Sequence, residues 1–174
     1  MTYISEDSDV NVPEAKAGVD VMVNKAMHAG EWNSLCLPFA LSARRIQELF
    51  GESTVVQTYA SFADGNVVLK CVESIEANMP YLVMPANDML EPFIVENVDL
   101  EPTNPVIVGD ECVMKGIYSS VVAHVGREYN YALASNGKVY THSDNTVVFP
   151  ALSVILKPKK VTDLTATLEG YTTP

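Results

Sequence analysis

The chain has 174 residues, of which 48% are hydrophobic and 19% charged. That is enough apolar matter for one core without metals or disulfides, and it excludes a disordered chain. Eleven Lys and Arg against 22 Asp and Glu give a net charge of -11, which repels phosphate backbones and anionic lipid and argues against nucleic-acid binding. No run reaches the roughly 18 uninterrupted apolar residues of a membrane-spanning helix, so direct membrane insertion is not expected.

The first segment, Met1 to Pro13, is acidic and polar, without the basic and apolar regions of a secretory leader. Residues 1–17 read as a flexible acidic segment before a single domain over 18–158. From Val19 the period is two: Val19, Val21 and Val23 share one face of a strand. Trp32, Leu35, Leu37 and Phe39 alternate imperfectly around Pro38, which suggests a bent or edge strand with Trp32 anchored against the following helix. That helix, near residues 42–50, has Ser42 as cap, Ile46, Leu49 and Phe50 as an inward stripe, and Gly51 as its left-handed stop. Arg44 and Arg45 read as a solvated helix face, with an anion clamp as the alternative.

The strands then come at spacings of about ten residues, as in a sandwich or barrel. Thr54 to Tyr59 and Asn66 to Glu73 flank the turn Ala63-Asp64-Gly65-Asn66. Tyr81 to Met84, Phe93 to Leu100, Val106 to Val108 and Cys112 to Tyr118 follow, with Pro80, Pro85, Pro92, Pro102 and Pro105 marking their ends. Tyr129 to Ala134 and Lys138 to His142 flank Asn136-Gly137, a strong hairpin signal, and Thr146 to Leu156 closes the series. The fold expected is all-β: an antiparallel β-sandwich, jelly-roll or Greek-key like, with one short helix. Residues 159–174 read as a tail or the start of a following module.

A two-residue Asn136-Gly137 turn pairs Ser135 with Lys138, Leu133 with Tyr140 and Tyr131 with His142. Tyr129, Tyr131 and Tyr140 then share a face. Turned outward, that row stacks on sugar rings; turned inward, it is ordinary core. Catalytic signals are sparse. There is no nucleophile elbow, phosphate loop or paired-histidine metal motif. Carboxylate pairs such as Asp110-Glu111 and Asp163/Glu169 suit a glycosidase on paper, but acidic residues are plentiful enough for such pairs to arise by chance. Glu6-Asp7-Ser8-Asp9 lacks the spaced oxygens of a calcium loop. No catalytic residue, cofactor or metal is therefore assigned. Cys36, Cys71 and Cys112 are odd in number and widely spaced, which leaves open buried free thiols, one disulfide with a leftover thiol, or a zinc site.

The stretch Ala29-Gly30-Glu31-Trp32-Asn33-Ser34-Leu35-Cys36-Leu37-Pro38-Phe39 resembles the opening strand of a β-rich module that recurs in secreted and surface proteins of Bacteroidetes. Ile46 to Gly51, Ile75 to Leu82 (IEANMPYL) and Lys115 to Tyr118 (KGIY) follow in the order seen in that module. The likeness covers about Val19 to Pro158 and departs at Phe149 to Leu156, where the module usually carries an aromatic strand. The resemblance implies an exported, non-catalytic module at the cell surface or secreted, with its signal or anchor outside this segment. It transfers no functional residues. The function expected is an interaction or spacer module whose partner is a protein or a neutral polysaccharide at the cell surface. A carbohydrate-binding module is the alternative, and a glycoside-active enzyme is a distant third.

Overall fold

The computed structural model describes residues 1–12, 14–101, 104–124, 131–139, 146–159 and 164–170. It is an all-β fold with one short helix. In chain order the elements are β1 Thr2–Ser5, β2 Lys16–Asn24, β3 Asn33–Leu35, α1 Ala43–Phe50, β4 Val55–Ala63, β5 Asn66–Val72 and β6 Tyr81–Met84. Then come β7 Phe93–Leu100, β8 Ile107–Val108, β9 Cys112–Ile117, β10 Val121–His124, β11 Thr146–Phe149, β12 Ser153–Pro158 and β13 Thr165–Thr167.

The largest sheet runs β13-β5-β4-β6-β3 and buries apolar side chains on both faces. β6 shows why: in Tyr-Leu-Val-Met, Tyr81 and Val83 enter one core and Leu82 the other. A continuous apolar run is what a strand covered on both sides requires. On the first face, Val56 and Val83 pack with Val21, Val23, Val95, Val98 and Leu100 of the β1-β2-β7 sheet. On the second, Val67, Leu69 and Leu82 pack with Cys112 and Met114 of β9 and Val154 and Leu156 of β12. β9 and β12 belong to a third sheet, β12-β9-β8, and β10 pairs with β11 in a separate ribbon.

Local chemistry explains the element ends. Ser42 caps α1, its hydroxyl accepting from the Arg45 amide at 3.3 Å, and Ile46 and Phe50 are the helix residues buried in the first core. Phe50 meets Phe93 edge to face, ring centroids 5.7 Å apart, a favoured aromatic geometry. Gly51 stops the helix at φ 105°, ψ 154°, an extended mirror conformation rather than the left-handed helical one expected of it. The β4–β5 hairpin turns on Asp64 (φ 53°) and Gly65 (φ 75°), the two positive-φ positions of a two-residue turn.

The antiparallel expectation fails at the two chain ends. β1 lies parallel to β2, and β13 lies parallel to β5. Each reaches its neighbour by a long connection, the condition for parallel pairing. The acidic segment expected to be flexible over 1–17 thus contains β1, and Ile4, Val10 and Val12 are buried in the first core. Over residues 159–174, where a tail or the start of a following module was expected, Leu164 and Leu168 are buried in the second. Gln57 holds that end as a strand would: its amide nitrogen donates to the Glu169 carbonyl at 2.7 Å, and its amide oxygen accepts from the Glu169 N–H at 3.0 Å.

A Cβ placed on Gly51 would stand 2.6 Å from the Ala86 Cβ at a φ that L residues rarely adopt. Gly51→Ala should therefore lower stability by about 1–3 kcal/mol, read as a fall in the urea midpoint with an unchanged slope. An unchanged midpoint would show that the α1–β6 junction relaxes freely.

Candidate functional site

Three of the four segments that carry the resemblance meet inside the first core. Cys36 follows β3, Asn78 precedes β6, and Tyr118 follows β9. The Tyr118 hydroxyl donates to the Asn78 side-chain oxygen at 2.7 Å and lies 3.8 Å from the Cys36 sulfur, within reach of an S–H donor. The Asn78 backbone is bound at both ends. Its N–H donates to the Leu37 carbonyl and its carbonyl accepts from Val106, each at 2.7 Å. Asn78 itself sits at φ 65°, a left-handed conformation that asparagine tolerates better than most residues. Gly116 completes the fit, since a Cβ there would lie 2.3 Å from the Cys36 sulfur. Burial raises the Cys36 thiol to about 12 and also pushes the Tyr118 phenol up. Both are neutral at physiological pH, which suits a structural polar cluster rather than a nucleophile.

The tyrosine row does not present Tyr131 to solvent. Tyr131 is 4% exposed, belongs to the second core and pairs with Leu156. Tyr129 and Tyr140 lie outside the described residues, as does His142. The expected two-residue turn is also corrected. Leu133 pairs with Val139, and the Ala134 amide donates to the Lys138 carbonyl, leaving Ser135, Asn136 and Gly137 as a three-residue loop with Gly137 at φ 84°. A three-residue loop with glycine in the left-handed position is the next hairpin solution after the two-residue turn. It shifts the register by one, and each such shift exchanges the faces of one strand. Trp32 likewise goes to the second core, away from the α1 stripe it was expected to anchor. β3 is an edge strand of its sheet, in line with the proline reading.

The remaining chemical candidates are engaged structurally. Arg44 pairs with Glu48 at 2.8 Å along the exposed face of α1 itself, as a solvated helix face would, whereas the Arg45 guanidinium donates to the Glu96 carbonyl and ties α1 to β7. Glu169 accepts from the Cys71 amide at 2.6 Å, Glu6 accepts from the Ala26 amide at 2.6 Å, and Asp163 lies outside the described residues. Lys25 donates to the Ser153 hydroxyl at 3.2 Å. Both side chains are buried, and desolvation pulls the Lys25 pKa down against the attraction of Glu6. Lysine and serine in contact suit nucleophilic chemistry only where substrate reaches them, and here both are enclosed. All three cysteines are free. Cys36 and Cys112 are buried, whereas Cys71 is exposed despite its alternating apolar run. No three His, Cys, Asp or Glu side chains cluster as a metal site among the described residues.

Two open concavities that bring aromatic and polar groups together lie around Tyr59 on β4. One, of about 290 Å³, has Thr58, Lys70, Ser74, Glu76 and Tyr81 in its wall. The other, of about 440 Å³, has Ser61, Phe62, Asp110 and Glu111. Tyr59 lines both. A β-bulge between Tyr59 and Ser61 leaves Ala60 without a cross-strand partner, a device that re-aims side chains near a strand edge. Sequence reading passed over Tyr59 because it sits in an ordinary β-rich run. Only the bulge and the approach of Gly109 distinguish it.

Comparison with known proteins finds no matching protein family, no matching curated protein and no matching solved structure.

Two outcomes test the buried network. Tyr118→Phe removes the hydroxyl that joins Asn78 to Cys36 and should destabilise the chain by about 1–3 kcal/mol. A loss below about 0.5 kcal/mol, the range of a surface substitution, would mean that the contact is incidental. In the folded protein at pH 8, a thiol reagent such as Ellman's should label Cys71 before the other two, and reach Cys36 and Cys112 only after unfolding. Rapid labelling of all three would contradict the enclosure of Cys36 and Cys112.

Proposed function

We propose that this chain is a non-catalytic interaction module of an exported bacterial protein, at the cell surface or secreted, with a protein or neutral polysaccharide as partner. The supporting observation is how the signature residues are used. Cys36, Asn78, Gly116 and Tyr118 all go into one interior network, so the residues behind the resemblance build the scaffold. Binding would then be carried by surface strands and loops, which is how scaffolds commonly divide stability from recognition. The acidic balance favours uncharged or basic partners over nucleic acid and anionic surfaces.

The carbohydrate-binding reading gains support from the concavities flanking Tyr59, while the original Tyr129/Tyr131/Tyr140 platform loses Tyr131 to the core. The glycoside-active alternative rests on carboxylate pairs, of which Glu169 is occupied by backbone contacts.

The test is made on the full-length protein in its own host. An epitope-tagged copy should be labelled on intact cells by a membrane-impermeant biotin reagent, or recovered from the medium, while a cytoplasmic control is not. Retention with the cytoplasmic control would overturn export. Release of reducing ends from any polysaccharide by the purified chain would overturn the non-catalytic reading.

A further inference from the structure

We propose that the two concavities that share Tyr59 in their walls form a binding site for a neutral oligosaccharide, with Tyr59 at the boundary between two adjacent sugar positions. This deepens the interaction reading by naming a ligand class and a site, and it does not depend on where the protein resides.

The first argument is shape. Both hollows are shallow and open, about 290 and 440 Å³, each near the lower end of the range for ligand pockets. They adjoin at one aromatic side chain, the layout that suits a chain of repeating units rather than one compact ligand.

The second argument is how Tyr59 is held. Its ring packs against the second core on one side. Gly109, at φ 96°, comes so close that a Cβ there would lie 2.9 Å from the ring Cζ. Burial above all, with the neighbouring Cys112 and Asp110, raises the phenol pKa, so the hydroxyl stays protonated. A ring clamped in this way stacks at little further entropic cost, and a pre-ordered contact is what makes a shallow site effective. An amphipathic aromatic face matches the C–H face of a pyranose.

The third argument is the polar inventory. Thr58, Lys70, Ser74 and Glu76 on one side, and Ser61, Asp110 and Glu111 on the other, supply hydroxyls, an ammonium and carboxylates. Three carboxylates against one ammonium repel sulfated or uronic ligands. A ligand rich in neutral hydroxyls satisfies donors and acceptors alike. The Thr58 hydroxyl is already oriented by its bond to the Pro80 carbonyl at 3.0 Å, so it faces a ligand as an acceptor.

The experiment is a ¹⁵N–¹H NMR titration of the purified chain with cellohexaose, laminarihexaose and mannohexaose, beside a sulfated and a chitosan hexasaccharide. At least one neutral hexasaccharide should shift amides of residues 58–62 and 108–111 as one cluster. Tyr59→Ala should weaken that binding roughly tenfold, about 1.4 kcal/mol, while Tyr59→Phe retains it and guards against a folding defect. Asp110→Asn with Glu111→Gln removes two charged acceptors from the site and should weaken neutral binding by roughly two- to fivefold, while relieving the exclusion of the sulfated hexasaccharide. A large drop in that double variant, with chitosan the tightest ligand, would replace the neutral ligand by a cationic one. No saccharide shifting these amides, or shifts confined elsewhere, would overturn the site. Export and a non-catalytic role would then stand or fall on the cell-labelling and reducing-end tests alone.

Discussion

The Tyr118 hydroxyl, held between the Cys36 thiol and the Asn78 amide, is the contact on which the first core depends. Three chain segments separated by about forty residues each arrive at this point. Each arrives with a special backbone feature: Pro38 just after Cys36, a left-handed Asn78, and Gly116 two residues before Tyr118. A buried hydroxyl costs free energy unless it is hydrogen-bonded. Alternative packings that separate these segments leave polar atoms enclosed without partners, so the cluster selects one arrangement of strands among several that apolar burial alone would permit.

The rest of the architecture follows from covering both faces of the five-stranded sheet. β6 is apolar throughout and needs a layer on each side. The β1-β2-β7 sheet with α1 supplies one, and β9 with β12 supplies the other. The chain ends extend these layers: β1 adds a parallel strand beside β2, and β13 adds one beside β5. Side-chain ties reinforce both ends, Glu6 to the Ala26 amide and Gln57 to the Glu169 backbone. Interior chemistry is therefore spent on assembly, which directs attention to surface irregularities for recognition. The bulge at Ala60 and the close approach of Gly109 are two such features, and both frame Tyr59.

Much of this was legible from local pattern. β6 and β7 match the expected runs residue for residue, α1 begins at its serine cap and ends at its glycine, and the Asp64-Gly65 turn has the geometry its residues demand. These elements are set by period, cap and turn chemistry, all of which act within a few residues. The long apolar run from Thr146 to Leu156 was not legible as two strands. It breaks at Pro150-Ala151-Leu152, with Leu152 at φ 64°, because β11 pairs with β10 while β12 pairs with β9. Nothing in the run's composition says that its halves serve different sheets. The Asn136-Gly137 loop shows a second limit. Its residues suit both a two-residue and a three-residue turn, and the difference of one residue decides which side chains face each other.

By itself, then, the sequence determined an all-β chain with one capped helix, its hairpin at Asp64-Gly65, and a net charge of -11. Those properties follow from short-range sterics and from summed charge, which need no knowledge of the fold. Tertiary structure alone decided that Tyr131 and Trp32 share the second core, that Cys36, Asn78 and Tyr118 meet, and that Tyr59 lines two concavities. Each of these joins residues far apart in the chain, and the free energy of such a contact depends on what lies across from it rather than on its neighbours in sequence.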